Sequence, residues 1–330
     1  MENKESKDVF TVGIQCESLG TRCGINTYAT RVNKYLNQLE NVESKMFVNK
    51  YKNGKPDVIN IHYEPGMMPA KRLMKLLDKY TDPIVITVHH INNLKQFYPM
   101  LDGVVLHDEG QTKDKPWSYV VIPHPALVFP KKDKKELRDK FGLPQDKKIV
   151  GTMGFICGTG KLLPLTVEHI LKNLNDDEFL YLITSFWKGG DMGRLKDIED
   201  VVKSLGKENN FRIDTDFIVD EEVLNEKMQC CDLLYSWNNI SKGSPGSQSG
   251  SAPDMYGARV KLIVKDCPHY SFMAAQDKVL VGRDSPSDFA KDVVKALRSK
   301  DLYDVPDPEW LSWETKIKDL LEYFKEVAEL

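Results

Sequence analysis

In the first part of the chain, short apolar runs alternate with longer stretches whose apolar positions recur every three or four residues. Residues 9–15, 58–62, 84–88, 103–106 and 120–122 are compact, rich in β-branched side chains and bounded by polar or turn residues, which predicts buried strands. Residues 25–39 and 70–80 carry the helical period between them. Strand alternating with helix implies parallel strands joined by right-handed crossovers, hence a doubly wound α/β sheet.

A polar run, residues 130–135, interrupts this pattern, followed by a short helix at 136–141 and a turn at Gly142-Leu143-Pro144. A second series then begins. Strands are expected at 148–153, 179–184, 211–215, 233–236, 261–264 and 279–281, with helices at 165–174, 196–205, 221–229 and 287–297. The second half repeats the alternation of the first without repeating its residues. We therefore expect two Rossmann-like domains, residues 1–145 and 146–308, facing a cleft that binds ligands at the C-terminal ends of the strands.

Composition sharpens this picture. With 330 residues, 41% hydrophobic and 29% charged, the chain is too apolar for disorder and too irregular for collagen or a coiled-coil rod. No apolar run approaches the ~20 residues that cross a bilayer, and the first eight residues are mostly polar, so neither a transmembrane segment nor a secretory signal is expected. Six cysteines, at 16, 23, 157, 230, 231 and 267, form no C-x-x-C pair. Reduced thiols in a cytoplasmic protein are the expectation. The net charge of -3 divides unevenly: residues 1–148 hold 24 Lys and Arg against 18 Asp and Glu, and the remainder 22 against 31. The excess of positive charge in the first half favours an anionic partner there, such as a phosphorylated lipid or DNA, and activity that falls with salt.

Three loops have the make-up of anion sites. The first strand runs through Gly20 and Gly24 into a helix, and a helix start offers unpaired N–H groups to a phosphate. It is not G-x-G-x-x-G, which argues against a dehydrogenase. The second domain opens with Gly154-Phe155-Ile156-Cys157-Gly158-Thr159-Gly160-Lys161, where glycines admit a ligand to the backbone and Lys161 reaches a phosphate. Leu162 follows Lys161, so this is no P-loop. The third loop, residues 241–251, is built of serine, glycine and proline ahead of a helix expected to begin near Ser251. His62, His89, His90 and His107 each follow a first-domain strand. No zinc-binding spacing is present, and no metal site is expected.

The order Gly24-Ile25-Asn26-Thr27-Tyr28-Ala29, Asp57-Val58-Ile59-Asn60-Ile61-His62-Tyr63-Glu64, Val85-Ile86-Thr87-Val88-His89 and Val121-Ile122-Pro123-His124 resembles the N-terminal domain of retaining GT-B glycosyltransferases of family 4. The second half continues the resemblance, with Gly154 to Lys161 similar to that family's glycine-lysine loop. Asp216 to Asp232 is similar to its base-contacting loop and helix, and Ser249-Gly250-Ser251-Ala252 onward to its donor-binding helix and strand. Ser312-Trp313 and a helix at 314–328 look like the family's last helix, so that residues 309–330 would cross back to the first domain.

The resemblance implies a cytoplasmic, metal-independent hexosyl- or pentosyltransferase. It would use a nucleotide sugar, UDP- or GDP-linked, and need no cofactor. Lys161 would neutralise the leaving diphosphate, helped by amides at Gly24 and Gly160 and by the helix start near Gly250 and Ser251. His89 would lie beside the transferred sugar and steady its developing positive charge. Ile218 and Val219 would offer backbone contacts to the base, while Ser249 and Asp254 would complete the donor site, Asp254 by accepting from ribose hydroxyls. The acceptor stays open among a glycan, a lipid-linked sugar and a hydroxymethylated base in DNA. The family's paired glutamates, E-x7-E, are degenerate, with Gly246 at the first position and Asp254 at the second, and Phe155 stands where an arginine is common. Those departures motivate a second reading, a non-catalytic nucleotide- or sugar-binding relative. A sugar-nucleotide epimerase is disfavoured, since Asp254 has no partner carboxylate for a second proton transfer.

Overall fold

The computed structural model describes residues 9–90, 94–111, 114–156, 163–186, 192–240, 247–276, 278–300 and 307–330. The first compact unit is built on β1 (Phe10–Cys16), α1 (Gly24–Leu36), β2 (Val42–Phe47), β3 (Val58–Tyr63), α2 (Ala70–Leu77), β4 (Ile84–Val88), β5 (Gly103–Leu106) and β6 (Tyr119–Val121). Its six strands are all parallel, in the order β2-β1-β3-β4-β5-β6. β3, β4 and β5 are buried along their whole length, which is why they read as unbroken apolar runs. β2 went unpredicted: its sequence, VESKMF, is half polar, and it lies at the sheet edge with only part of it buried.

The second unit comprises α3 (Lys134–Phe141), β7 (Lys148–Ile156), α4 (Leu163–Asn173), β8 (Glu178–Phe186), α5 (Met192–Ser204), β9 (Phe211–Asp214), α6 (Glu221–Gln229), β10 (Leu233–Ser236), α7 (Ser251–Gly257), β11 (Lys261–Lys265), α8 (Ser271–Ala274), β12 (Val279–Gly282) and α9 (Pro286–Arg298). Its parallel sheet has the order β12-β11-β10-β7-β8-β9. Strand order reverses between β7 and β10, and in doubly wound sheets the carboxyl ends at such a reversal are where ligands bind. The last helix, α10 (Trp313–Ala328), belongs to the first unit. Trp313 stacks on Tyr35 and meets Tyr28, both from α1, and the Tyr323 hydroxyl accepts from Val104 N on β5 at 3.0 Å.

The units divide between Pro123 and His124, well before the expected boundary at residue 145. The reason is ionic as well as apolar. Lys132 bonds Glu222 and Glu226, Lys140 bonds Glu226, and Lys134 and Arg138 bond Asp232, so the polar run and α3 fasten to α6 and the start of β10. Leu137 and Leu143 enter the same core as Met228 and Leu234.

This changes the charge distribution. The first unit holds 19 Lys and Arg against 19 Asp and Glu, and the second 27 against 30. Of the positive excess expected for the first domain, the larger part came from residues 131–148, where Lys132, Lys134, Arg138 and Lys140 are ion-paired inside the second unit, and the acidic α10 offsets the rest. Charge therefore gives no support to an anionic acceptor. Among the described residues no helix is long and apolar enough to cross a membrane, and the described cysteines, Cys16, Cys23, Cys230, Cys231 and Cys267, are free and buried.

Candidate functional site

In the first unit the parallel register of β3, β4 and β5 brings three histidines to one end of the sheet. His62 lies on β3 beside Thr87, His89 follows β4 and His107 follows β5. His62 Nδ1 is 3.1 Å from His89 Nε2, and the two rings stack with centroids 5.4 Å apart. His89 and His107 rings lie 5.6 Å apart. Tyr28, on the buried face of α1, sets its ring edgewise or steeply inclined to all three at 5.1–5.6 Å. His107 Nδ1 donates to Ile122 O at 2.9 Å, since a carbonyl only accepts.

Burial, with repulsion from His107, pushes His62 down to about 3. Burial pushes His107 down to about 4 against the opposing bond to Ile122. Burial, reinforced by His62 and His107, also holds His89 well below the ordinary histidine value. The cluster is therefore uncharged at neutral pH. It can hold hydroxyl or phosphate oxygens by hydrogen bonds and cannot offer a cation.

The loop between β1 and α1 is ordered by its own side chains. The Cys23 sulfur caps α1 by accepting from Asn26 N, the Cys23 thiol contacts Ser18 Oγ at 3.1 Å, and Asn26 Nδ2 donates to Thr21 O. A Cβ on Gly24 would meet no protein atom within 4 Å. Packing within the protein thus does not demand glycine there, whereas close approach of a ligand to the α1 amides would.

In the second unit Gly154 lies within β7. Gly154 has φ of 143°, a conformation that side chains rarely adopt. Phe155 pairs in register with Ser185 on β8, and its ring lies nearly parallel to that of Phe217, with centroids 6.1 Å apart and 11° between planes. Beyond Phe217, Ile218 packs on the core while Val219 is 80% exposed. At the ends of β8 and β10, Ser185 Oγ, Trp237 Nε1 and Asn238 Oδ1 are buried without a hydrogen-bond partner. Lys265, 3% exposed at the end of β11, donates to Asn238 O and Ile240 O and lies over the Trp237 ring at 4.7 Å. The Lys265 cation thereby holds the segment after β10, beside the strand reversal.

At α7, the Ser249 hydroxyl accepts from Ala252 N at 3.2 Å and the Ser249 amide donates to His269 O, while Gly250 is exposed. Asp254 is 3% exposed and accepts from Leu127 N at 3.0 Å. Leu127 O in turn accepts from Asn225 Nδ2, and Ala126 N donates to Leu311 O. Asp254 thus anchors the segment that enters the second unit.

No protein-family model and no curated protein matches the sequence. Solved structures do match over the full length. A glycosyltransferase from Rickettsia africae aligns with a TM-score of 0.71 at 14% identity, covering 97% of this chain and 98% of that one. HepE from Anabaena, solved with UDP and glucose, gives 0.68 at 11% with the same coverage. Sucrose-phosphate synthase from Thermosynechococcus elongatus gives 0.66 at 12%, covering 97% and 96%. The fold is GT-B.

Within each half of this GT-B chain the expected positions fall into distinct groups. His89 joins His62 and His107 in one cluster, and Gly24 opens the first helix of the same unit. Ser249, Gly250 and Ser251 gather at the start of α7, and Ile218 and Val219 lie on the loop before α6. Asp254 has turned inward to Leu127, with little surface left for a ligand. Lys161, Gly160 and Gly246 lie outside the described residues. Sequence reasoning missed Tyr28 as the packing partner of the histidines and missed the buried polar atoms of Ser185, Trp237 and Asn238. The only signal available for the latter group was its place just after apolar strands.

Proposed function

We propose that the protein is a glycosyltransferase that moves a sugar from a UDP- or GDP-linked donor to an acceptor with retention of anomeric configuration, in the manner of family 4. The observation that carries this reading is the full-length GT-B likeness to HepE, a protein solved with UDP and glucose. In this reading the second unit takes the nucleotide. Lys161 and the amides at Gly160 are assigned to the diphosphate, the backbone at Ile218 and Val219 to the base, and Ser249 to Ser251 to the rest of the donor. The first unit supplies the α1 amides at Gly24 and the neutral His89 ring. Charge on the departing diphosphate would be met by the Lys161 cation and by backbone N–H groups, which stabilise charge where it develops. Because the histidine cluster is uncharged, His89 can act on the sugar by hydrogen bonding and sets no cation against the sugar's developing positive charge.

The test is nucleotide release from a panel of UDP- and GDP-sugars, first alone and then with glycan, lipid-linked and DNA acceptors. Wild-type protein turns over one donor, and Lys161→Ala loses about 10²-fold in kcat, as expected for removing one charge-stabilising group. Proton NMR of the product reports the anomeric configuration, and an inverted linkage removes the family 4 assignment. The engagement of Asp254 with Leu127 favours one further reading, a relative that binds nucleotide or sugar without turnover. That protein would bind UDP by calorimetry and release nothing from any donor, in wild type and Lys161→Ala alike.

A further inference from the structure

His62 and His89 share one hydrogen bond, between Nδ1 of the first and Nε2 of the second. One imidazole must donate and the other accept, so the two tautomers are linked. If His89 donated, His62 would carry its proton on Nε2. That atom is buried and has no hydrogen-bond partner. A buried N–H without an acceptor is rarer in folded proteins than an under-used acceptor. The opposite arrangement leaves only a lone pair at His62 Nε2, with the proton on Nδ1 directed at His89 Nε2.

We propose that His62 is a positioning residue that fixes His89 in its Nδ1-protonated tautomer, so that His89 meets the donor sugar as a hydrogen-bond donor and is disabled as a general base. The tautomer follows from the unpartnered His62 Nε2, and the role toward the sugar rests on the transferase reading. His107 shows the same arrangement independently, its Nδ1 donating to Ile122 O. Tyr28 sets its ring against all three imidazoles, which holds their planes. Burial keeps each ring uncharged at neutral pH, so the doubly protonated form does not blur the tautomer. A proton on Nδ1 of His89 suits an ether, hydroxyl or phosphate oxygen. Nε2, already accepting from His62, has no lone pair left to take a proton from an acceptor hydroxyl.

The decisive measurement is a long-range proton–nitrogen correlation spectrum of the whole protein labelled with ¹⁵N-histidine at neutral pH, with His62→Asn and His89→Asn used to assign the signals. Wild-type His62 and His89 both give the Nδ1–H pattern. A His89 signal of the Nε2–H form, or an averaged one, overturns the proposal. Donor turnover supplies the second arm. His62→Leu lowers kcat/KM about tenfold, the effect of one hydrogen bond, and His62→Asn, whose amide can donate from the Nδ1 position, recovers it. Equal loss in both variants at unchanged melting temperature overturns the positioning role. If no donor is turned over by wild type, the transferase reading fails, and the spectrum still decides the tautomer.

Discussion

The Asp254 carboxylate holds the Leu127 amide at 3.0 Å across a separation of 127 residues, so a position expected to serve a ribose also fastens the chain where it enters the second unit. Asp254→Ala leaves that amide without an acceptor and costs about 1–3 kcal/mol of stability, read as a lower urea midpoint. Asp254→Asn keeps an acceptor oxygen and stays near wild type. UDP affinity changes little in either folded variant. A large loss of affinity at unchanged stability would restore the ribose role.

Two glycines make opposite forecasts. A Cβ on Gly257 would overlap Leu127 O, a backbone atom that cannot swing aside, whereas one on Gly24 meets nothing. Gly257→Ala is expected to destabilise by about 1–3 kcal/mol or more, in the range of overpacked cores. Gly24→Ala lies at the first position of α1 and is neutral or mildly stabilising, since alanine is the better helix former. Its melting temperature should hold while donor KM rises. An unchanged KM would place the diphosphate elsewhere.

Acid sensitivity should track the histidine cluster. His62 and His107, near 6.5 when unfolded, sit at about 3 and about 4 in the folded protein because they are buried. Below pH 6.5 the unfolded chain therefore binds more protons than the folded one, and stability falls with pH, while above 6.5 this contribution is fully present. Urea midpoints measured from pH 7.5 to 5 should decline, and less steeply in His62→Leu, which removes one titrating ring. Parallel curves for the two proteins would contradict the burial of His62.

The balance of charge in the first unit forecasts weak interaction with polyanions. At physiological ionic strength the protein should elute from heparin resin with the unbound fraction. Retention there, or transfer that declines steeply between 50 and 200 mM salt as phosphate contacts do, would show a local cationic surface that the balanced total conceals.

Most of the alternation of strand and helix was legible because the central strands are apolar on both faces and end at recognisable turns. β2 was hidden by its polar half, as an edge strand buried on part of its surface carries a weaker signal. The units divide before the expected boundary because Lys132, Lys134 and Lys140 find their carboxylates about ninety residues later, at Glu222, Glu226 and Asp232. Histidines at strand ends could be noticed singly. That His62 and His89 share a hydrogen bond depends on the register of β3 against β4, which no local pattern encodes.

The return of α10 to the first sheet also sets a schedule for synthesis. β5 lacks the Tyr323 hydroxyl, and Tyr28 and Tyr35 lack Trp313, until every residue of the second unit has left the ribosome. The amino-terminal half, although made first, must wait with an unfinished core while the later half folds, and its exposure to chaperones and proteases is longest during that interval.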